Sequence, residues 1–186
     1  MHNTLSNTLQ LSLLTLFMTG CAGGFKAGNP WDPKEGRLFD DGIDMVKDLG
    51  GLSGEFAYKA EEELNARVNL SDTVAVVSIQ AIQTNKDIDN NEVKRIETSV
   101  VNLLHGQNIG ETIVLSSEKS ALGHALILRH EHRLTGEFIC FIRWFENDDH
   151  TIGSHFHLSP NSSQLRADIG KLLQIRVKEE KTQGIE

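Results

Sequence analysis

Apolar and polar positions fall in distinct blocks along this chain, and each block predicts an element. Over residues 54–68, Phe56, Ala60, Leu64 and Arg67 or Val68 recur at helical spacing, with Ser53 placed to cap the helix. Glu55 and Glu61-Glu62-Glu63 lie toward its first half, where the helix dipole favours them, and Arg67 follows Glu63 by four residues. Residues 73–84, TVAVVSIQAIQT, are dense in Val and Ile and predict a strand with Ala75, Val77, Ile79 and Ala81 on one face. A polar turn, NKDIDNN, follows at 85–91. A second strand over 92–104 places Ile96, Thr98 and Val100 on one side and Ser99, Val101 and Leu103 on the other. Gly106 and Gly110 bracket a turn before a short third strand at 112–115.

Residues 120–134 suit helical spacing better than strand alternation. The block 138–145 is bulky on both faces, Phe138, Cys140, Ile142 and Trp144 against Ile139, Phe141 and Phe145, with Arg143 its single polar residue. A strand of this kind must be covered on both sides, so a helix is expected over one face of the sheet. A last strand at 155–158 stops at Ser159-Pro160, and Ser162 or Ser163 caps a C-terminal helix running to about residue 178. Its stripe is Leu165, Ile169, Leu172, Leu173 and Ile175-Arg176, and the charged tail beyond it is expected to fray. Together these blocks predict an α+β fold: a small antiparallel sheet or partly open barrel with two or three packed helices.

One block belongs to no such domain. Residues 11–22, LSLLTLFMTGCA, form a short apolar run that ends in small residues and a cysteine. A membrane-spanning helix needs about 20 consecutive apolar residues, so this run is too short to span and suits the apolar region of a secretory signal peptide. Met18-Thr19-Gly20-Cys21 resembles the lipobox of bacterial lipoproteins. That resemblance implies cleavage before Cys21 and attachment of a diacylglyceryl group to its thiol, often with acylation of the new amino group by palmitate or a similar chain. Ala22 rather than Asp follows the Cys, which in this family implies sorting to the outer membrane. Two or three acyl chains, each methylene contributing about 0.8 kcal/mol, would make such an anchor effectively permanent.

The domain organisation expected is then a signal peptide at 1–20, a Gly- and Pro-rich tether at 21–36 and one globular domain at 37–186. Removing the first 20 of 186 residues leaves 166, enough for a real core. The formal net charge of −8, counted with His neutral, resides entirely in that part, because residues 1–20 contain no Asp, Glu, Lys or Arg. Such a balance argues against a nucleic-acid surface, which needs clustered Lys and Arg, and against electrostatic docking on anionic lipid. The middle of the chain, Val100-Val101-Asn102-Leu103-Leu104-His105-Gly106 followed by Ile109-Gly110-Glu111-Thr112-Ile113-Val114-Leu115, resembles small envelope domains with an OB-like barrel. That resemblance implies a small antiparallel barrel and no activity.

The candidate chemistry is sparse. With Cys21 acylated, Cys140 has no disulfide partner and reads as a small buried hydrophobe. Trp31 is expected to pack back on the domain. Asp40, Asp41 and Asp44 surround Gly42 but lack the alternation of a calcium loop, so local capping and solvation fit them better. Eight histidines include two His-x-His pairs. On a strand, His155 and His157 share a face and are candidate ligands for zinc or copper, with His150, Glu131 or Asp149 as further ligands; on a helix, His130 and His132 point apart and cannot join on one ion. No Gly-x-Ser-x-Gly elbow, His-Glu-x-x-His or phosphate loop is present. The expectation is a non-enzymatic, lipid-anchored envelope protein without cofactor. It would contact the membrane and another envelope protein, from the periplasmic or the surface side. A metal-binding protein built on His155 and His157, or a cryptic hydrolase, is the alternative.

Overall fold

A computed structural model describes Gly28, residues 30–44 and residues 55–183. Three helices, α1 (Glu55–Leu70), α2 (His124–His130) and α3 (Ser163–Gln183), accompany six strands. The strands are β1 (Gly42–Ile43), β2 (Thr73–Lys86), β3 (Glu92–Gly106), β4 (Thr112–Glu118), β5 (Glu137–Glu146) and β6 (Ile152–Pro160). They form one curled sheet in the order β1-β6-β5-β2-β3-β4. The α+β fold with a partly open barrel is therefore present. The sheet is mixed rather than purely antiparallel, because β1 runs parallel to β6.

Strand β5 explains the layering. Its Phe138, Cys140, Ile142 and Trp144 face the concave side, where they meet Ala75 and Val77 of β2, Ile96 of β3, Leu115 of β4 and Phe156 and Leu158 of β6. Its Ile139 and Phe141 face the convex side, where Leu64 and Val68 of α1 and Leu165 and Ile169 of α3 cover them with Leu38 and Phe39. Both faces of one strand are thus core, as its sequence demands. Helix α3 is held at its start by Ser162, whose Oγ accepts from Leu165 N at 3.1 Å.

The long β2–β3 pair departs from strict alternation. Register shifts fall between Val74 and Ala75, between Val76 and Val77, and between Ile79 and Ala81. After the last shift the core face passes to Ile82, opposite Ile96, and both Ile79 and Ile82 pack on the same cluster. One inserted residue flips every later side chain, and this bends the strand into a curl. For the same reason Leu103 lies opposite Ala75 rather than on the far side with Ser99.

Helix α2 closes the curl. It lies between the two edge strands: Gly123 N donates to Asp40 O at 2.8 Å beside β1, and His124 Nδ1–H donates to Ser117 O of β4 at 3.0 Å. Ile127 points into the core and is fully buried. Gly42 and Gly123 approach so closely that a Cβ on either would fall far inside van der Waals contact with the other's Cα. Beyond α2, Glu131 receives the buried Lys94 ammonium at 2.9 Å. The helical segment expected at 120–134 is shorter than its pattern and ends in a 3-10 turn at Glu131–Arg133. At the C-terminus the helix outlasts the expected fray point and runs to Gln183. Ile175 leaves the predicted stripe, being 51% exposed, while Arg176 stays in it and donates to the carbonyls of Val68 and Ser71.

Candidate functional site

The chemistry-bearing side chains converge where the N-terminal arm, residues 28–44, crosses β5 and β6. On β6, His155, His157 and Ser159 alternate and so share the convex face. The arm brings one carboxylate to each. His155 Nδ1 donates to Asp41 Oδ2 at 2.7 Å, His157 Nδ1 donates to Asp40 Oδ1 at 2.8 Å, and Ser159 Oγ donates to Asp44 Oδ2 at 3.0 Å. Asp41 adopts φ of 51°, a left-handed conformation that Asp tolerates better than most residues. Its second oxygen accepts Phe156 N at 2.9 Å, so the carboxylate is fixed by backbone as well as by imidazole.

His157 is the buried centre of this ladder. Its Nε2 stands 3.0 Å from Asp44 Oδ2, a charge contact too bent for an aligned hydrogen bond. Burial disfavours its charge, yet the hydrogen bond to Asp40 and the close contact with the Asp44 carboxylate outweigh burial and the nearby Arg67, and its pKa is raised. Asp44 mirrors it. Burial would raise the carboxyl, but the close contact and charge of His157, Arg67 and the Ser159 hydroxyl bring it down to about 2. Arg67, on α1, donates from Nε to Leu38 O at 2.9 Å and lies 5.7 Å from the Phe141 ring centre. It thereby ties the arm to the helix layer.

A second charged group holds the start of the arm. Arg143, the lone polar residue of β5, donates from Nε to Glu35 at 3.0 Å and from a terminal nitrogen to Asp72 at 2.7 Å. Its guanidinium is 4% exposed. Burial opposes the charge, but the two carboxylates more than offset it and the pKa rises. Asp72 also accepts Trp144 N at 2.8 Å, and Trp144 Nε1 donates to Thr73 Oγ1 at 3.0 Å. Gly28 N donates to Trp144 O at 3.2 Å, and Gly28 packs so tightly on Arg143 and Asp72 that a side chain there would have to push their paired ends aside. Trp31 packs back on the domain as expected, its ring centre 4.3 Å from His155 and 5.6 Å from Phe145.

The structure therefore brings His155 and His157 to one face but engages them with aspartates. Asp40, Asp41 and Asp44, read from sequence as capping and solvated residues, are instead their partners. Among the described residues no three His, Cys, Asp or Glu side chains stand where one metal ion could be held. The further ligands considered lie elsewhere: Glu131 pairs with Lys94, Asp149 binds Thr151, and His150 pairs with Glu146 at the exposed β5–β6 turn. His130 sits on α2 and His132 in the following 3-10 turn. Cys140 is fully buried, and that burial pushes its thiol pKa well up, away from reactivity. Cys21 lies outside the described residues.

The pairing of arm and strand left two signals in the sequence. A single Arg inside an otherwise apolar strand demands carboxylates, and two alternating histidines on a covered face demand polar partners. Neither signal says which carboxylates supply them across 114 to 117 residues of chain. Comparison of the chain with known protein families, curated proteins and solved structures finds no match.

Proposed function

We propose that this protein is a lipid-anchored component of the bacterial cell envelope, held through Cys21 and acting as a binding or structural module rather than an enzyme. The observation that carries the reading is the apolar run of residues 11–18 followed by Thr19-Gly20-Cys21. Three features support it. Cys140 is buried in the core, so its thiol is shielded from acylation. The arm is fastened to the sheet from Gly28 onward by the Arg143 and His155–His157 contacts, so a pull on the anchor passes directly into the body. The ionisable groups that could do chemistry at the arm are engaged in holding it there. The anchor's sorting signal, Ala22 after the Cys, favours the outer membrane, and the acidic body favours a protein partner over nucleic acid.

Fractionation of cells expressing the wild type and Cys21→Ser tests this. The wild type is expected in the membrane pellet, released by detergent and not by high salt. Cys21→Ser is expected unprocessed or in the soluble fraction. Identical fractionation and maturation of the two forms would overturn the reading.

A further inference from the structure

We propose that the end of the domain made by the β5–β6 turn, the last turn of α1 and the last turns of α3 rests against the lipid surface, with the β2–β3 turn pointing away. This rests on the lipid-anchor reading above. The arm enters the body at Gly28, which is bonded to Trp144 O near the β5–β6 turn. Seven residues carry the chain from Cys21 to Gly28, a reach of no more than about 25 Å when fully extended. Strand β2 starts at this end, with Thr73 opposite Ile142, and its 14 residues carry the chain toward the opposite turn over a contour of at most about 45 Å. The tether is therefore shorter than the sheet it holds.

Some exposed apolar side chains lie toward the same end. Leu70 closes α1 two residues before Asp72, Leu103 lies opposite Ala75 near the start of β2, and Ile152 pairs with Glu146 at the β5–β6 turn. Ile175 and Val177 flank Arg176, which is fixed to the carbonyls of Val68 and Ser71 at this level. These five side chains are 36% to 51% exposed. Helix α3 continues past them to Gln183, about 10 Å further in the same direction. Single exposed hydrophobics are ordinary on a protein surface, and these five are compatible with shallow contact at the bilayer interface where the acyl anchor attaches. At the opposite end Ile88 is fully exposed, while the β5–β6 turn itself is polar, so the length of the tether and not side-chain polarity distinguishes the two ends.

The test uses the full, membrane-extracted protein returned to vesicles of phosphatidylethanolamine and phosphatidylglycerol. Ile152→Cys, Val177→Cys and Ile88→Cys each offer one labelling site, because Cys140 is buried and Cys21 is acylated. Lipids with nitroxide headgroups then quench whatever label lies close. The expected result is loss of most emission at positions 152 and 177 and little loss at 88. Equal quenching at the three sites, or stronger quenching at 88, in protein that floats with the vesicles would overturn the orientation alone. Wild-type protein that fails to float would overturn the anchor reading and the orientation with it.

Discussion

Replacing Asp72 by Ala isolates the contact that fixes the start of the arm. The carboxylate accepts Arg143 at 2.7 Å and Trp144 N at 2.8 Å, both on the same oxygen. Its loss takes one carboxylate away from an Arg143 side chain that is 4% exposed, and removes an acceptor from the Trp144 backbone N–H. Removing one member of a buried ion pair costs about 3–5 kcal/mol, and orphaning a buried donor about 1–3 kcal/mol. Asp72 is itself 23% exposed and Glu35 remains, so water and the second carboxylate recover part of this. The expected loss is therefore about 3–4 kcal/mol, the low end of the ion-pair range. A domain of this size loses about 2–4 °C in Tm per kcal/mol, so a drop on the order of 10 °C should follow. Urea unfolding at neutral pH reads it as a lower midpoint at unchanged slope. Arg143→Met should cost less, because the partly exposed carboxylates it frees can hydrate. The double variant should lose clearly less than the two single losses summed. A loss under about 1 kcal/mol for Asp72→Ala would place this pair with exposed salt bridges and refute the argument.

Other consequences are separately measurable. Gly123→Ala adds a methyl against the Gly42 backbone at an ordinary helical φ of −81°, so its cost is steric, about 1–3 kcal/mol or more by thermal melt; Ala at Gly110, where φ is 81° and space is open, tests backbone strain instead. The His157 pKa is raised on folding, so its contribution is complete below the unfolded value of 6.5 and is lost as pH climbs through the higher folded value; His157→Gln should flatten that alkaline decline in urea midpoint. Asp44 is lowered from 3.8 to about 2, so its contribution is present above 3.8 and fades as pH falls toward 2, with Asp44→Asn showing a shallower acid decline; its 44% exposure keeps the effect small. Zinc added to the purified protein should leave Tm unchanged, whereas a rise abolished by His155→Ala with His157→Ala would restore the metal reading.

The elements themselves were largely legible because hydrophobic spacing reports burial directly. The double-faced apolar run of 138–145 announced a strand covered on both sides, and α1 and α3 supply the cover on one. What the spacing hid is what period-two counting assumes away. The extra residues are Val101 and Leu104 on β3 and Gln80 on β2; they move side chains across the sheet, and nothing in either strand's sequence marks where they sit. The two-residue β1 is too short for any periodic signal, and its parallel pairing with β6 depends on the arm being fastened by Asp40, Asp41 and Asp44. Those aspartates read as a hydrated cluster because their partners lie more than a hundred residues away. Lys94 shows the same blindness: a lysine in a strand reads as solvent-facing, yet it is 3% exposed and held by Thr84 and Glu131. Pairing at long range is a property of the fold, and one sequence carries only its demand, not its answer.

The central claim is that acyl chains on one sulfur hold this body at a membrane. Mass spectrometry of the amino-terminal peptide from the native protein addresses it most directly. The account predicts a peptide beginning at Cys21 that carries a diacylglyceryl mass on its thiol, with or without a further acyl group on its amine. A peptide beginning at Met1, or one beginning near residue 21 with a free Cys21 thiol, would contradict it.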